Sequence, residues 1–187
     1  MKAKRHLVFL IGLAFVSLFI TSCINEKSDV EKVTQLENLP VESTYDSEIY
    51  YSENAELKVK AFAPVIHRYM GEIPYSEMPK GVEVTFYDSI DHESSKLTAN
   101  YAIDKQTEFL MEAKYDVVIV NSEGQRLNTE HLIWDRKNQR IYSNVFTTIT
   151  TDDEVIMGDG FESNERFTKY KILKPKGTIS QEDEEYD

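Results

Sequence analysis

A thirty-residue repeat dominates the middle and the C-terminal part of this sequence. Leu97, Leu127 and Met157 begin three successive copies, and the similarity continues along each of them. The other residues in register are Tyr101, His131 and Phe161, then Met111, Ile141 and Lys171, then Ile119, Ile149 and Ile179. Because strand side chains alternate between two faces, an even period keeps equivalent residues on the same face in every copy. The repeat therefore predicts strands whose odd-numbered residues form one inner face.

Apolar and polar residues alternate within the copies. Odd-numbered positions such as Leu97 and Ile119 are apolar, whereas even-numbered positions such as Asn128 and Glu130 are polar. The alternation is imperfect at Leu132, Trp134 and Phe146. Such alternation is typical of half-buried antiparallel strands, and repeated units stack in order to bury a shared face. We therefore predict an all-β fold built as one continuous stack of antiparallel strands.

The residues before the first regular copy form a divergent copy. Two strands are predicted at residues 48–51 and 57–64. A third strand is predicted at residues 82–86, and its even-numbered side chains should face the core. Residues 70–80 contain two prolines and predict a long loop, and residues 88–95 predict a long turn. Insertions in an end copy are common in stacks of repeats.

Polar turns join the regular copies. They are predicted at residues 121–124, 135–139 and 151–154, where Asn, Asp, Ser and Gly concentrate. Pro175 and Gly177 lie in what would be the final strand of the last copy. Because proline cannot donate a backbone hydrogen bond, this strand is predicted to be an edge strand or to contain a bulge.

The N-terminus has the features of a bacterial lipoprotein signal. Lys2, Lys4 and Arg5 precede an apolar run at residues 7–20, and a small residue stands before Cys23. We expect residues 1–22 to be the signal peptide and Cys23 to be the acylated residue. An uncleaved N-terminal anchor is the alternative, because residues 7–23 could span a thinned bilayer. Either form would hold the chain at a membrane.

The remaining boundaries follow from composition. We predict that the acylated cysteine and a polar spacer occupy residues 23–40. The β domain is predicted at residues 41–180, and an acidic tail at residues 181–187. Hydrophobic residues make up 41% of the chain, which is enough for one folded domain. The net charge of −12 argues against nucleic acid as a partner, because phosphate backbones require a basic surface.

No catalytic motif is present in the sequence. His67, His92 and His131 stand alone, without a second ligand at metal-binding spacing, and no Gly-x-Ser-x-Gly motif occurs. His131 is expected to be a core or cavity side chain, because its repeat partners are aromatic. We predict no enzyme activity, no cofactor and no metal site. Small and large residues alternate on the inner face, which suits a tapering packed core and an open lipid groove equally.

Several segments resemble the LptC family, whose members are periplasmic components of the lipopolysaccharide export ABC transporter. The residues that carry the resemblance are the lipobox with Cys23, residues 39–43, Ala63 and Pro64, residues 79–86, residues 127–135 and residues 158–162. The resemblance implies an open, twisted β-jelly roll of antiparallel strands on the periplasmic face of the inner membrane. It also implies that lipopolysaccharide passes from subunits of the LptB, LptF and LptG type to an LptA-like bridge.

The face pattern and the resemblance together select candidate site residues. The lipid-groove candidates are Leu97, Ala99, Tyr101, Met111, Ala113, Tyr115, Val117, Ile119, Leu127, His131, Ile141, Val145, Ile149, Met157 and Phe161. The candidates for partner edges are Ile49, Tyr51, Leu57 and Val59 on the transporter side, and Leu173 and Ile179 on the LptA side. The alternative is a β-sheet lipoprotein that serves adhesion or envelope assembly and has no lipid groove.

Overall fold

The structure is a computed structural model that describes residues 39–88 and 92–180. The predicted signal peptide, Cys23, the spacer up to residue 38 and the acidic tail at 181–187 lie outside the described residues. The described residues form an antiparallel, jelly-roll-like sheet, which confirms the predicted all-β fold. A single turn of 3-10 helix at Gln106–Glu108 is the one helical element among them.

The described part of the chain contains twelve strands. They are β1 (Glu42–Glu53), β2 (Glu56–Tyr69), β3 (Tyr75–Met78), β4 (Val82–Tyr87), β5 (Glu93–Ala99), β6 (Tyr101–Lys105), β7 (Leu110–Asn121), β8 (Arg126–Asp135), β9 (Arg140–Thr150), β10 (Glu154–Asn164), β11 (Tyr170–Ile172) and β12 (Pro175–Ser180). Turns follow β7, β8 and β9 where the sequence predicts them.

Three pairs of short strands act as single long strands with a kink. β3 and β4 both pair with β2, β5 and β6 both pair with β7, and β11 and β12 both pair with β10. β4 also pairs with β5, and β3 with β6. The chain is therefore a meander in which each long strand runs antiparallel to the next one along the sequence.

Each long strand is interrupted near its middle, which divides the sheet into two half-sheets. The first half-sheet contains residues 47–63, 82–88, 92–99, 117–129, 147–158 and 175–180. The second half-sheet contains residues 42–45, 65–78, 101–114, 132–143 and 161–172. Phe86 of the first contacts Trp134 of the second, with ring centroids 5.0 Å apart. The two half-sheets therefore lie face to face around a shared core.

The interruptions recur with the period of the sequence repeat. Three interruptions lie thirty residues apart, at Asn100, Glu130 and Gly160. The strands between them are interrupted at Tyr115 and Val145. β-Bulges leave one strand with unpaired residues and bend it, so they can redirect a strand from one half-sheet into the other. The thirty-residue period is thus the spacing of equivalent bends.

The predicted inner face is confirmed over most of its length. The buried odd-numbered residues are Leu97, Ala99, Met111, Ala113, Val117, Ile119, Leu127, Ile141, Ile149 and Phe161. Val82, Val84 and Phe86 are also buried, as predicted for the even-numbered residues of that strand. Met157 is only half-buried.

Tyr115 and Val145 do not lie on the inner face, contrary to the prediction. Tyr115 is 60% exposed and Val145 is 38% exposed. Both occupy the bends, where the ladder of paired residues is interrupted. At Tyr115 the backbone is left-handed, with φ of 64°. Residues at a bend leave the alternation, so these two side chains point toward solvent.

Tyr101 and His131 are half-buried and are not core residues, again contrary to the prediction. Each follows an interruption, and the even-numbered neighbours Ala102 and Leu132 are fully buried in their place. A shift of one residue in a strand exchanges its two faces. The bends at Asn100 and Glu130 therefore invert the alternation in the second half of each strand.

Two predicted boundaries in the divergent copy are wrong. The first strand begins at Glu42 and not at residue 48, because pairing with β2 extends through a stretch that lacks apolar alternation. The predicted loop at residues 70–80 contains β3. Pro74 and Pro79 flank this strand without entering it, so they interrupt no ladder hydrogen bond of β3.

Candidate functional site

The interior between the half-sheets is apolar and filled by side chains. The large apolar side chains with no exposed surface are Val84, Val117, Ile119, Leu127, Leu132, Ile141, Ile149, Phe161 and Phe167. They belong to one core cluster that includes residues of both half-sheets. Burial of this kind stabilises a fold by about 25 cal/mol per Å² of apolar surface. Ten of the fifteen groove candidates are buried.

Three buried hydroxyl groups lie beside the bends of β8 and β9. Thr147 donates a hydrogen bond to Thr129, at 3.3 Å, and the hydroxyls of Thr129 and Ser143 are 3.2 Å apart. Thr129 also donates to the backbone carbonyl of Phe146, at 2.9 Å. Buried hydroxyls satisfied in this way cost little stability. They mark a short polar band across an otherwise apolar interior.

A loop between β10 and β11, at residues 165–169, reaches into this interior. Phe167 at its centre is 0% exposed and packs against Phe161 and Tyr170, with ring centroids 5.7 and 5.2 Å away. The other residues of the loop are exposed or only partly buried. One aromatic side chain of the loop therefore fills space between the half-sheets. A lone phenylalanine in the polar stretch 163–169 was the sequence signal for this role.

Polar contacts hold the loop to the first half-sheet. The Asn121 side-chain amide donates to the carbonyl of Phe167, at 3.0 Å, and the Ser95 hydroxyl donates to the carbonyl of Glu165, at 3.4 Å. In the second half-sheet, Trp134 Nε1 donates to the Glu165 carboxylate, at 2.6 Å. Burial raises the pKa of Glu165, although the bond from Trp134 acts in the opposite direction. The loop bridges the two half-sheets on one side of the interior.

Within residues 39–88 and 92–180, the N-terminal edge of the sheet is strand β1, which pairs only with β2. Its exposed large side chains include Tyr45, Ile49, Tyr50 and Tyr51. Unpaired backbone groups on such an edge can accept a strand of another protein. The strand carries four acidic residues and no basic ones. It is therefore an acidic edge with exposed aromatic side chains.

The C-terminal edge consists of β11 and β12, which pair only with β10 in the part of the chain that the structure describes. Every residue of β12 is exposed, including Ile179. The edge carries Lys171, Lys174 and Lys176 and no acidic residue. Pro175 begins β12, which confirms the predicted edge strand. The two free edges thus differ in charge sign.

Not all partner-edge candidates lie on these edges. Ile49 and Tyr51 are exposed on β1, and Ile179 is exposed on β12. Leu57 and Val59 lie on β2, which is paired on both sides, and Val59 is buried between Tyr51 and Phe86. The sequence placed two strands at this end but could not tell which of them is outermost.

Leu173 lies at the kink between β11 and β12 and is partly buried. Its backbone N–H donates to the carbonyl of Gly160, at 2.9 Å. This donor is therefore already used inside the domain, although the residue borders a free edge.

Glu112 is the centre of a charged group on the second half-sheet. Its carboxylate is 2.9 Å from Lys105 Nζ and 2.9 Å from Lys114 Nζ, and 3.6 Å from His131 Nε2. Hydrogen bonds from Lys114 and Lys105 lower the pKa of Glu112 to about 2. His131 therefore lies beside a carboxylate and not among the aromatic core residues.

The Glu112 contacts predict a dependence of stability on acid. A carboxyl group whose pKa is lowered by folding contributes stability above its unfolded pKa and loses it as the pH falls toward the folded value. Glu112→Gln should remove about 1 kcal/mol of stability at neutral pH and flatten the decline between pH 4.5 and about 2. Urea unfolding at pH 5 and pH 3 measures both effects.

Glu83→Gln is the matched control, because Glu83 pairs with Lys96 on an exposed surface. This variant should follow the acid response of the wild-type chain. An equal acid response in the Glu112 and Glu83 variants would contradict the assigned role of Glu112.

An open surface pocket of about 820 Å³ lies between the β8–β9 turn and the β10–β11 segment. It is lined by side chains such as Asn138, Arg140, Glu162 and Lys169. Arg140 is already paired with Asp135, at 3.3 Å, and with Glu162, at 3.0 Å. Lys171 also lines the pocket, so two lysine side chains and Arg140 border it.

These features define a class of protein: an antiparallel β-sandwich with an apolar interior and two free sheet edges. No model of a known family matches the chain, and no curated protein matches it. Within residues 39–88 and 92–180, no helix is long and apolar enough to cross a membrane. The same residues contain no cluster of His, Cys, Asp and Glu that could hold a metal ion.

Proposed function

We propose that this chain is an LptC-like, membrane-anchored component of a lipopolysaccharide export system. In this role it receives the lipid at the periplasmic face of the inner membrane and passes it to an LptA-like protein. The observation that carries the proposal is the combination of an apolar interior with a free edge at each end of the sheet. The lipoprotein signal with Cys23 and the motifs at residues 127–135 and 158–162 add to it.

The interior suits the acyl chains of the lipid rather than its head group. Each buried methylene gains about 0.8 kcal/mol on leaving water, so acyl chains need an apolar path through the periplasm. The chain has a net charge of −12, which does not attract an anionic head group. The acyl chains therefore lie between the half-sheets, and the head group stays in solvent.

The two edges suit different partners. The acidic edge β1 pairs with the transporter subunits, and the lysine-bearing edge β11–β12 pairs with the LptA-like protein. Strand addition supplies backbone hydrogen bonds, and the charges select the partner. Lipid can then pass from one interior to the next along a continuous sheet.

The second candidate function is assembly or adhesion without lipid transport. It is favoured by the full burial of Ile119, Leu127 and Ile141, which leaves the centre of the interior packed. Transport requires the half-sheets to separate, whereas assembly through the edges does not. The two functions therefore differ in whether lipid ever contacts the inner face.

Photo-crosslinking in cells distinguishes them. A benzophenone amino acid replaces Leu97 or Met111, which are buried, or Tyr115, which is exposed on the outer surface. Lipid transport predicts adducts with lipopolysaccharide at the two inner positions and few at Tyr115. Absence of adducts at both inner positions, in a protein that is made and anchored normally, would sink the proposal.

A further inference from the structure

The β10–β11 loop closes one side of the interior with the side chain of Phe167, which lies between the half-sheets. Phe167 is the one fully buried residue of the loop at residues 165–169. Its ring contacts Phe161 and Tyr170, both apolar surfaces that an acyl chain could cover equally well. An internal aromatic group therefore occupies a position that suits one hydrocarbon chain.

The backbone of Phe167 is in an unfavourable conformation. Its φ of 51° lies in the left-handed region, which costs a residue other than glycine about 1–2 kcal/mol. Contacts of the ring and of the loop must offset this cost in the closed form. A loop that leaves the interior can relax to an ordinary backbone conformation.

Hydrogen bonds from Ser163 and to Asn164, at the end of β10, hold the base of the loop. Three further hydrogen bonds join the loop to residues on other strands. Ser95 and Asn121 each donate one side-chain hydrogen bond to a loop carbonyl, and Trp134 donates one to the Glu165 carboxylate. A partly buried carboxylate with one such partner gains by returning to water. Breaking the bonds to Ser95, Asn121 and Trp134 would release the bridge between the half-sheets and let the Phe167 ring move out, while the bonds at Ser163 and Asn164 keep the base of the loop on β10.

We propose that the β10–β11 loop is a displaceable plug, and that one acyl chain of the bound lipid takes the place of Phe167 when the loop moves out. This inference rests on the proposed function, because it describes how access to that same interior is controlled. The closed form keeps the apolar interior away from water. Only open molecules bind lipid, so the apparent affinity for lipid is proportional to the fraction of molecules in the open form.

The test uses the full chain in cells, with the benzophenone crosslinker at Leu97 and lipopolysaccharide as the captured ligand. Phe167→Ala should raise the yield of lipid adduct per protein about fivefold, because a larger fraction of molecules is open. Glu165→Ala removes the acceptor for Trp134 and retains the Phe167 ring, so it should give a smaller increase. It also serves as the test if Phe167→Ala does not fold.

Phe109→Ala is the matched control. Phe109 has the same left-handed backbone, with φ of 58°, but its ring is 54% exposed in another turn. This variant should give the wild-type yield of adduct. If Phe167 is only a core residue, Phe167→Ala and Glu165→Ala will leave the yield unchanged or lower it, and the plug is overturned.

The two proposals fail in different ways. If the wild-type chain and the Phe167, Glu165 and Phe109 variants all give the same yield of lipid adduct, the plug alone is overturned. A lack of adducts in the wild-type chain and in every variant, at normal protein levels, overturns the proposed function and the plug together.

Discussion

Replacing Phe161 with alanine should lower the free energy of unfolding by about 3–5 kcal/mol. Phe161 has no exposed surface and packs against Phe167 between the half-sheets. Its removal loses the transfer free energy of the ring and leaves a cavity that the surrounding strands can fill only partly. Because domains of this size are stable by about 5–15 kcal/mol, the variant should be close to unfolding at ambient temperature.

Phe146→Ala is the control for this prediction. Phe146 lies on the neighbouring strand β9 and is 50% exposed, so its replacement should change stability by about 0.5 kcal/mol. Urea unfolding can be followed through Trp134, the single tryptophan of the chain. Equal losses for the two phenylalanine variants would contradict the assignment of Phe161 to the core.

Gly158→Ala should detach the C-terminal edge of the sheet. A Cβ atom at this position would clash with Cγ2 of Ile172 and would lie 2.6 Å from the carbonyl oxygen of Leu173. The second contact is with backbone, which cannot move away without disturbing the kink between β11 and β12. Overpacking of this kind costs about 1–3 kcal/mol, and here it should open the pairing of β12 with β10.

Gly177→Ala on the paired strand is the matched control. A Cβ atom there would meet only Cε of Met157, at 3.7 Å, which is an ordinary contact. Hydrogen exchange of the β12 amides should become faster in the Gly158 variant and remain slow in the Gly177 variant. Slow exchange in both variants would contradict the close packing of the kink against Gly158.

The sequence predicted the fold class and most of the core because the repeat and the alternation are both strong. A period of thirty residues kept Leu97 and Leu127 on the same face, and both are buried. The same pattern misassigned Tyr115 and Val145, because alternation assumes an uninterrupted strand. The bends are interruptions of the strand pairing, which depend on the neighbouring strand and have no strong local signal.

The candidate site was predictable only in part. The apolar interior follows from the repeat, and Pro175 indicated the C-terminal edge. The order of strands at the N-terminal end did not follow from sequence, so Val59 was assigned to an edge that belongs to β1. The burial of Phe167 depends on contacts with Ser95 and Asn121, more than forty residues away along the chain. Such contacts exist only once the chain has folded, so the local sequence does not indicate them.

The central claim is that lipid enters between the two half-sheets and separates them. Spin labels at Ser122→Cys and Lys137→Cys, in exposed turns of the first and the second half-sheet, report this separation in the full-length Cys23→Ser chain. Carbon atoms pack about 4 Å apart, so one layer of acyl chains should lengthen the distance between the labels by about 4 Å. Pulsed electron paramagnetic resonance with and without lipopolysaccharide measures this distance. An unchanged distance in the presence of bound lipopolysaccharide would contradict the account.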